Sequence, residues 1–190
     1  MKKVGTNTIL YEQVRGSGIE LRHPRWAEYE DWARLRRESA DYLAPWEPLW
    51  DPAHLSRNSY RAKLARLKKM VSNDTGYPFH IFRTNDETLV GACNISHVQR
   101  HVAQSAQLGY WIGQDYSSQG FGQASVRAAL RFCFERLGLH RVEAAVQADN
   151  ERSVRLLESL GFAKEGTARD YLKINGQWKD HDIYARLSSD

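Results

Sequence analysis

Two glycines one residue apart, Gly120 and Gly122, follow a polar loop, Gly113–Gln119, and stand directly before the most regular amphipathic stretch of the chain. A strand, a polar loop, glycines and then a helix can grip phosphate, because the first backbone N–H groups of a helix point outward and its dipole favours anionic oxygens there. A Walker A loop would need Gly-Lys-Ser or Gly-Lys-Thr after the glycines, and neither follows. A dinucleotide site would need three glycines and an acid closing the next strand, whereas Glu143 opens that strand and Gln147 closes it. What is left is a Gly-x-Gly turn whose donors, the amides of Ser118 to Gly122, do not depend on side chains. The plainer alternative is a tight turn entering a helix.

The elements around this turn set its position. From Gly122, Val126, Ala129, Leu130, Cys133, Phe134 and Leu137 recur at helical spacing until Gly138 supplies a stop. Arg141 to Val146 predicts a short strand, and Asn150 the N-cap of a helix carrying Val154, Leu157 and Leu160. Upstream, Tyr77 to Arg83 and Thr88 to Ile95 predict a hairpin, with a third strand at Ala103 to Ile112. Two more strands, Phe162–Ile174 and Trp178–Leu187, meet at Asn175-Gly176. At the start, residues 1 to 18 are polar with three glycines and read as a flexible arm; a strand follows at Ile19–Leu21 and a helix at Trp26–Ser39. Tyr42 to Pro52 holds three prolines and two tryptophans in eleven residues, which predicts a structured loop. Leu55 to Val71 predicts a helix whose Arg57, Arg61, Lys63, Arg66, Lys68 and Lys69 meet no acid on their own element.

The 190 residues suffice for one core, with about 70% of the unfolded chain's surface removed from water. At 42% hydrophobic and 26% charged the chain is neither disordered nor collagen-like. A net charge of +4 is a mild field that favours anionic ligands without itself implying nucleic acid. Cys93 and Cys133 sit apart in apolar stretches and read as reduced core residues, which suits a cytoplasmic protein and points to neither a metal framework nor a disulfide. No apolar run approaches the ~20 residues of a membrane span.

Leu108-Gly-Tyr-Trp-Ile-Gly113, Tyr116-Ser-Ser-Gln-Gly-Phe-Gly122, Asn150-x-x-Ser153 and Leu160-Gly-Phe162 occur in the order of the acetyl-coenzyme A motifs of the GCN5-related N-acetyltransferase (GNAT) superfamily, which the chain resembles. Ala44-Pro-Trp-Glu-Pro48 and the segment Asp170 to His181 further resemble the RimJ-type ribosomal-protein-alanine N-acetyltransferases, so the likeness covers residues 19–190 as a single domain. It implies an α/β (α+β) fold, a mixed and mostly antiparallel sheet of about seven strands flanked by four helices. It departs from the superfamily loop at Ser117, Ser118 and Gln119, where Gln, Gly and Lys are common; losing a basic contact to phosphate weakens binding by around 1 kcal/mol without abolishing it.

The resemblance implies transfer of acetyl from acetyl-CoA, bound as cosubstrate without a metal, to an amine. Tyr110, Trp111 and Ile112 would hold the pantetheine and the oxyanion through their backbone, Ser117, Ser118, Gln119, Gly120, Phe121 and Gly122 the pyrophosphate, and Asn150 the pantetheine amides. Ser153 would protonate the departing thiolate. Many relatives carry Glu where this chain has Gln107, so Glu47 is the candidate base, in a loop whose tryptophans and prolines would partly desolvate it; Asp170 and His181 are further candidates. Trp46, Glu47 and Tyr171 would line the acceptor site. A free α-amine (pKa about 7.7–8.0) is easier to deprotonate than lysine (about 10.4) by roughly 3.5 kcal/mol, which favours a protein N-terminus, a ribosomal protein's alanine above all.

Plainer roles stand beside these: loop packing for Trp46, a salt bridge for Glu47, helix capping for Asn150, a strand aromatic for Tyr171, and surface or edge positions for His181 and Asp182. The basic helix 55–71 is a solvated face or a contact to ribosomal RNA or to the 3′-phosphate of coenzyme A, for which Arg155 competes. A small-molecule amine as acceptor, or a non-catalytic acyl-CoA-binding or ribosome-associated factor, are the alternative functions. Monomer and homodimer are both compatible with the sequence.

Overall fold

Tyr77–Arg83 is buried at six successive positions, as a strand covered on both faces must be. In the computed structural model, which describes residues 5, 7–14 and 16–190, this segment is β3 of an eight-stranded sheet. The strands are β1 (Ile9–Val14), β2 (Ser17–Arg22), β3, β4 (Leu89–Gln99), β5 (Ser105–Ile112), β6 (Arg141–Val146), β7 (Ala163–Ile174) and β8 (Gln177–Leu187), and the helices α1 (Tyr29–Glu38), α2 (Ala40–Leu43), α3 (Arg57–Ser72), α4 (Phe121–Arg131) and α5 (Glu151–Ser159). The spatial order is β1-β2-β3-β4-β5-β6-β8-β7. Every neighbouring pair is antiparallel except β5 and β6, which run parallel.

Strand alternation assigns the two faces. Ala106 and Leu108, with Tyr110 and Ile112 packed against them, join the larger core, which holds the apolar side chains of α4 and α5. Trp111 points the other way, into a second core made with Trp32 and Leu35 of α1 and Tyr60 of α3. Odd-numbered side chains of β5 therefore face the α1/α3 side, and even-numbered ones face α4 and α5. Cys93 and Cys133 are free and buried in the larger core, as expected, and burial pushes the Cys93 thiol up to about 12.

The mixed, mostly antiparallel architecture agrees with the expectation, with one more strand and one more helix. The extra strand falls in the expected arm: Ile9–Val14 pairs residue by residue with Ser17–Arg22, while residues 1–4, 6 and 15 of that arm lie outside the described residues. The extra helix, α2, takes up the start of the expected loop, and a 3-10 turn over Ala44–Trp46 extends it, Pro45 being tolerated in a first helical turn. The helix predicted to run to Leu137 widens into a π turn over Phe132–Arg136, with Leu137 N–H donating to Phe132 O at 3.0 Å. The basic helix is not wholly free. Arg57 pairs with Glu30 of α1, Arg61 stacks on Trp26 at 5.1 Å, and Lys63 turns inward over Trp32 at 4.5 Å, where burial and then Arg36 and Arg66 push its pKa down to about 8. His181 and Asp182, expected at the surface or a sheet edge, are buried because β8 is interior to the sheet; Asp182 accepts from Thr167 at 2.6 Å and pairs with Lys164 at 2.7 Å.

One close approach tests the ladder that carries β5. Gly91 is opposite Ile112, and a Cβ on it would meet the carbonyl oxygen of Trp111 and lie 3.0 Å from Ile112 Cδ1. Gly91→Ala is expected to lower stability by about 2 kcal/mol, read as a lower urea midpoint at unchanged slope. An unchanged midpoint would show that β4 and β5 do not pair in this register.

Candidate active site

The sheet opens at its one parallel pair. β5 and β6 are joined over Ser105–Gln107 and Arg141–Glu143 only. Beyond that rung β5 continues with β4 as far as Ile112, and β6 continues with β8 as far as Val146. The strands part, and one edge of Leu108–Ile112 has no neighbouring strand. Because a helix follows each strand, α4 after β5 and α5 after β6, both helix N-termini arrive at the gap.

A cleft of about 340 Å³ fills this wedge. The Gly-x-Gly turn forms one wall. Ser118 and Gly120 both have positive φ, +60° and +87°, which turns the chain sharply enough for Gly120 to be the N-cap of α4. No side chain caps that turn and no acid lies in it, so its amides and dipole are available to an anion. Gly122 is held open for close approach: a Cβ there would lie 3.2 Å from Leu156, 3.3 Å from Tyr110 and 3.5 Å from Ile112. Gln119 turns away, its amide donating to Asp115 O at 2.7 Å, and Phe121 is buried in the larger core.

The opposite wall is α5. Asn150 caps it, Oδ1 accepting from Ser153 N–H at 3.2 Å, so the expected capping role is present and the amide nitrogen is left for a ligand. The Tyr110 hydroxyl donates to Ser153 Oγ at 3.2 Å. Burial pushes that phenol up to about 12, so it carries its proton throughout the neutral range. Arg152 and Arg155 stand on the same wall, Arg155 tied to Glu151 at 2.9 Å. Arg152 donates to the Tyr42 hydroxyl and lies 5.7 Å from its ring. Neither Tyr42 nor Arg152 was singled out from the sequence; Arg152 is two residues past the cap, but no spacing marks Tyr42.

The Pro-Trp-Glu-Pro loop closes the cleft, with Trp46 and Glu47 on its lining beside Tyr110, Trp111, Ile112 and Ser117. Its Glu47 is not a free carboxylate. Arg36 donates to both oxygens, once at 2.8 Å, and Trp50 Nε1 adds a third bond at 2.9 Å. The Arg36 guanidinium lies between Trp50, at 4.2 Å, and Trp111, at 4.7 Å. Backbone bonds tie the loop to the rest: Gln147 donates to Pro45 O at 3.1 Å and Asn175 N–H to Glu47 O at 2.9 Å. Tyr171 is not brought to this cleft. It borders a second groove of about 220 Å³ with Gln107 and Glu143, beneath the rung where the strands part. Asp170, displaced by a bulge in β7, takes φ +46° and its N–H donates to Asp180 at 2.8 Å.

A wedge beside a free strand edge, with an uncapped helix mouth on one wall and a hydroxyl pair on the other, suits a long phosphorylated thioester laid along β5. The chain belongs to the GNAT acetyltransferase family: the family described as Acetyltransferase (GNAT) domain matches residues 19–163. It is an acetyl-CoA-dependent N-acetyltransferase. It is 35% identical over 153 residues to the [Ribosomal protein uS5]-alanine N-acetyltransferase of Escherichia coli (strain K12), covering 80% of this chain and 79% of that one. Among solved structures it is similar to Mycobacterium smegmatis RimJ in complex with CoA-disulfide, with a TM-score of 0.91, 29% identity and coverage of 97% and 88%. The ribosomal-protein-S5-alanine acetyltransferase from Vibrio fischeri gives a TM-score of 0.84 at 27% identity, covering 90% and 94%.

Arg36 is 5% exposed in its side chain and Glu47 19%, so removing one partner strands the other's charge. Arg36→Ala is expected to cost about 3 kcal/mol, seen as a lower melting temperature. Arg36→Lys is expected to recover less than half, since an ammonium offers neither the two-pronged bond nor the stacking. Full recovery by lysine would mean that only charge matters there.

Proposed function

We propose that this chain acetylates the α-amine of a protein N-terminus, alanine being the first acceptor to test, and that it does so by direct attack of the amine on the thioester of acetyl-CoA. The observation that carries the reading is the parting of β5 from β6 over the uncapped mouth of α4. The chemistry at the acceptor end agrees with it: an α-amine is neutral in useful amount near pH 7.5, so the site needs no strong base. The E. coli relative is named for an alanine acceptor in ribosomal protein uS5, and the likeness covers most of both chains.

In this reading the free edge of Leu108–Ile112 bonds the pantetheine, with Asn150 adding its amide nitrogen. The amides from Ser118 to Gly122 hold the pyrophosphate, Ser117 beside them. When the amine nitrogen bonds to the carbonyl carbon, the oxygen becomes an oxyanion, met by backbone N–H at Tyr110 to Ile112. As the C–S bond breaks, Ser153 gives its proton to sulfur and is resupplied from Tyr110, which burial keeps protonated. Trp46 borders the acceptor end, and Glu47, engaged by Arg36 and Trp50, holds that loop in place. A cytoplasmic location and ribosome contact through the exposed part of α3 belong to the same reading; no helix among the described residues is long and apolar enough to cross a membrane.

Acetyl-CoA and an alanine-first peptide, followed by thiol release and peptide mass, test the proposal. Acetylated peptide and free coenzyme A in equal amounts are expected; binding of acetyl-CoA without transfer to peptide, with transfer to a polyamine instead, would replace the acceptor. Ser153→Ala is expected to lower kcat about a hundredfold while the Kd for coenzyme A changes less than about threefold. Tyr110→Phe is expected to lower kcat by a smaller factor in the same direction. Wild-type turnover in Ser153→Ala would take the hydroxyl out of proton delivery.

A further inference from the structure

The groove beneath the parting strands is lined apart from the α4 mouth and the Tyr110–Ser153 pair. Gln107 and Glu143 face each other on the last rung that β5 and β6 share. Alternation puts both on the α1/α3 side: Ala106 and Leu108 on β5, and Val142 and Ala144 on β6, all belong to the larger core. Their side chains border the second groove together with Ser96, Tyr171 and the open backbone at Gly109, where a Cβ would meet nothing within 4 Å. Glu143 is the only charged side chain on that lining among the described residues.

Its surroundings give the groove a net negative charge. Arg141 Nε donates to Glu143 Oε1 at 2.7 Å, and the same guanidinium pairs through its other nitrogens with Glu165. One cation thus serves two carboxylates, and Glu143 Oε2 receives no bond from any described residue. Arg141 is held firmly charged, chiefly by its bond to Glu165, and Glu165 sits below the usual carboxylate range, chiefly through Arg141. The three groups together carry one negative charge, and Glu143 stands on the rung at which β5 and β6 part. An ammonium is the ligand that such a site takes.

We propose that Glu143 is the carboxylate that receives the acceptor amine, which enters by this groove from the face opposite α4 and α5. The inference rests on the α-amine reading above. Glu143 holds the ammonium in the groove, and the neutral form, after loss of a proton to solvent, attacks the thioester carbonyl at the throat. Once the C–N bond has formed, the nitrogen of the tetrahedral intermediate is positively charged and far more acidic than the free amine. Its proton passes through one water to Glu143 Oε2 and on to solvent as the C–S bond breaks and sulfur takes the Ser153 proton. The products are the N-acetylated chain and coenzyme A thiol. Gln107, uncharged and on the same rung, orients the water.

The test is Glu143→Gln in the full chain, with an alanine-first peptide and coenzyme A binding measured separately. The expected result is a loss of kcat/KM of about a hundredfold at pH 7, shrinking toward pH 9 where the amine is already free, with coenzyme A affinity unchanged. Wild-type kcat/KM across pH 6 to 9 would overturn the assignment while leaving the acetyltransferase reading intact. Should Glu143→Gln melt lower or bind coenzyme A more weakly, Glu143→Asp decides: it keeps a partner for Arg141 but withdraws the carboxylate by one methylene, and turnover must fall with affinity retained. Wild-type turnover in Glu143→Asp overturns the assignment. A wild-type chain that binds acetyl-CoA and acetylates no α-amine overturns the α-amine reading and this one with it.

Discussion

A sheet whose strands all pair along their full length has no opening in it, and this one opens because β5 and β6 are parallel and short of partners. Antiparallel neighbours on the outer sides, β4 and β8, hold the two strands firmly while three rungs join them to each other. Parallel direction then puts both carboxyl ends on one side of the opening, so the helix that follows each strand begins there. The general rule that ligands of α/β folds lie at carboxyl ends where connections diverge applies to a single pair of strands. Two helix mouths, one capped by Asn150 and one left uncapped at Gly120, face the same wedge. The Gly122 approach, the Tyr110–Ser153 bond and the free edge of β5 have functional meaning only because that wedge exists.

Keeping the wedge open requires a rigid surround, and Arg36 supplies part of it. Its side chain is buried between two indole rings and spends its charge on Glu47, across the gap between α1 and the Pro-Trp-Glu-Pro loop. A buried ion pair of this kind is weak evidence for net stability, because desolvation offsets much of the attraction. Its effect is geometric: the bidentate bond holds Glu47 and its loop against α1, and Trp111 under the guanidinium ties the end of β5 to the same point. The loop is thus positioned by the element that precedes it in the chain and by the β7–β8 turn that follows near the end, through Asn175.

The parts of this arrangement that could be read from sequence are those governed by local rules. The apolar period from Val126 to Leu137 marked α4, Asn150 marked the start of α5, and Asn175-Gly176, with φ of +45° and +81°, marked the last hairpin. The motif order marked the Gly-x-Gly wall of the wedge, because its donors are backbone groups at fixed spacing. What could not be read depends on partners distant in sequence. β1 was missed because it is an edge strand with mostly half-buried or exposed side chains, so its stretch lacks a strong pattern and flanking glycines dominate. His181 and Asp182 were misplaced because burial of β8 follows from strand order and not from its own residues. Glu47 was read as a base because Arg36, eleven residues upstream, is invisible as its partner until α1 and the loop pack. In the sequence Glu143 is an acid that opens its strand, the wrong place for a dinucleotide site; its rung partner Gln107 lies 36 residues away and meets it only through sheet pairing.

Strand alternation also separates the charges that an acyl transfer creates. On the α4/α5 side are the helix mouths, Asn150 and the Tyr110–Ser153 pair, all donors, suited to phosphate oxygens and a departing thiolate. On the α1/α3 side are Gln107 and Glu143, with Arg141 shared between two carboxylates, suited to an ammonium. Between them, beyond the Gln107–Glu143 rung, the sheet has no strand-to-strand bonds, and the proposed reaction would place the thioester carbonyl there. In the proposed reaction negative charge would grow on oxygen and sulfur and positive charge on nitrogen, each toward the face already polarised to receive it, so that little reorganisation would be required as the bond is exchanged. Had acid and carboxylate shared one face, as residues two apart on a strand do, each would have quenched the other's field. Glu143 shares its rung with Gln107, and Tyr110, which bonds Ser153, stands at opposite parity to 107 on β5; carboxylate and acid thus lie on opposite sides of the sheet, their β5 neighbours within about 10 Å along the strand.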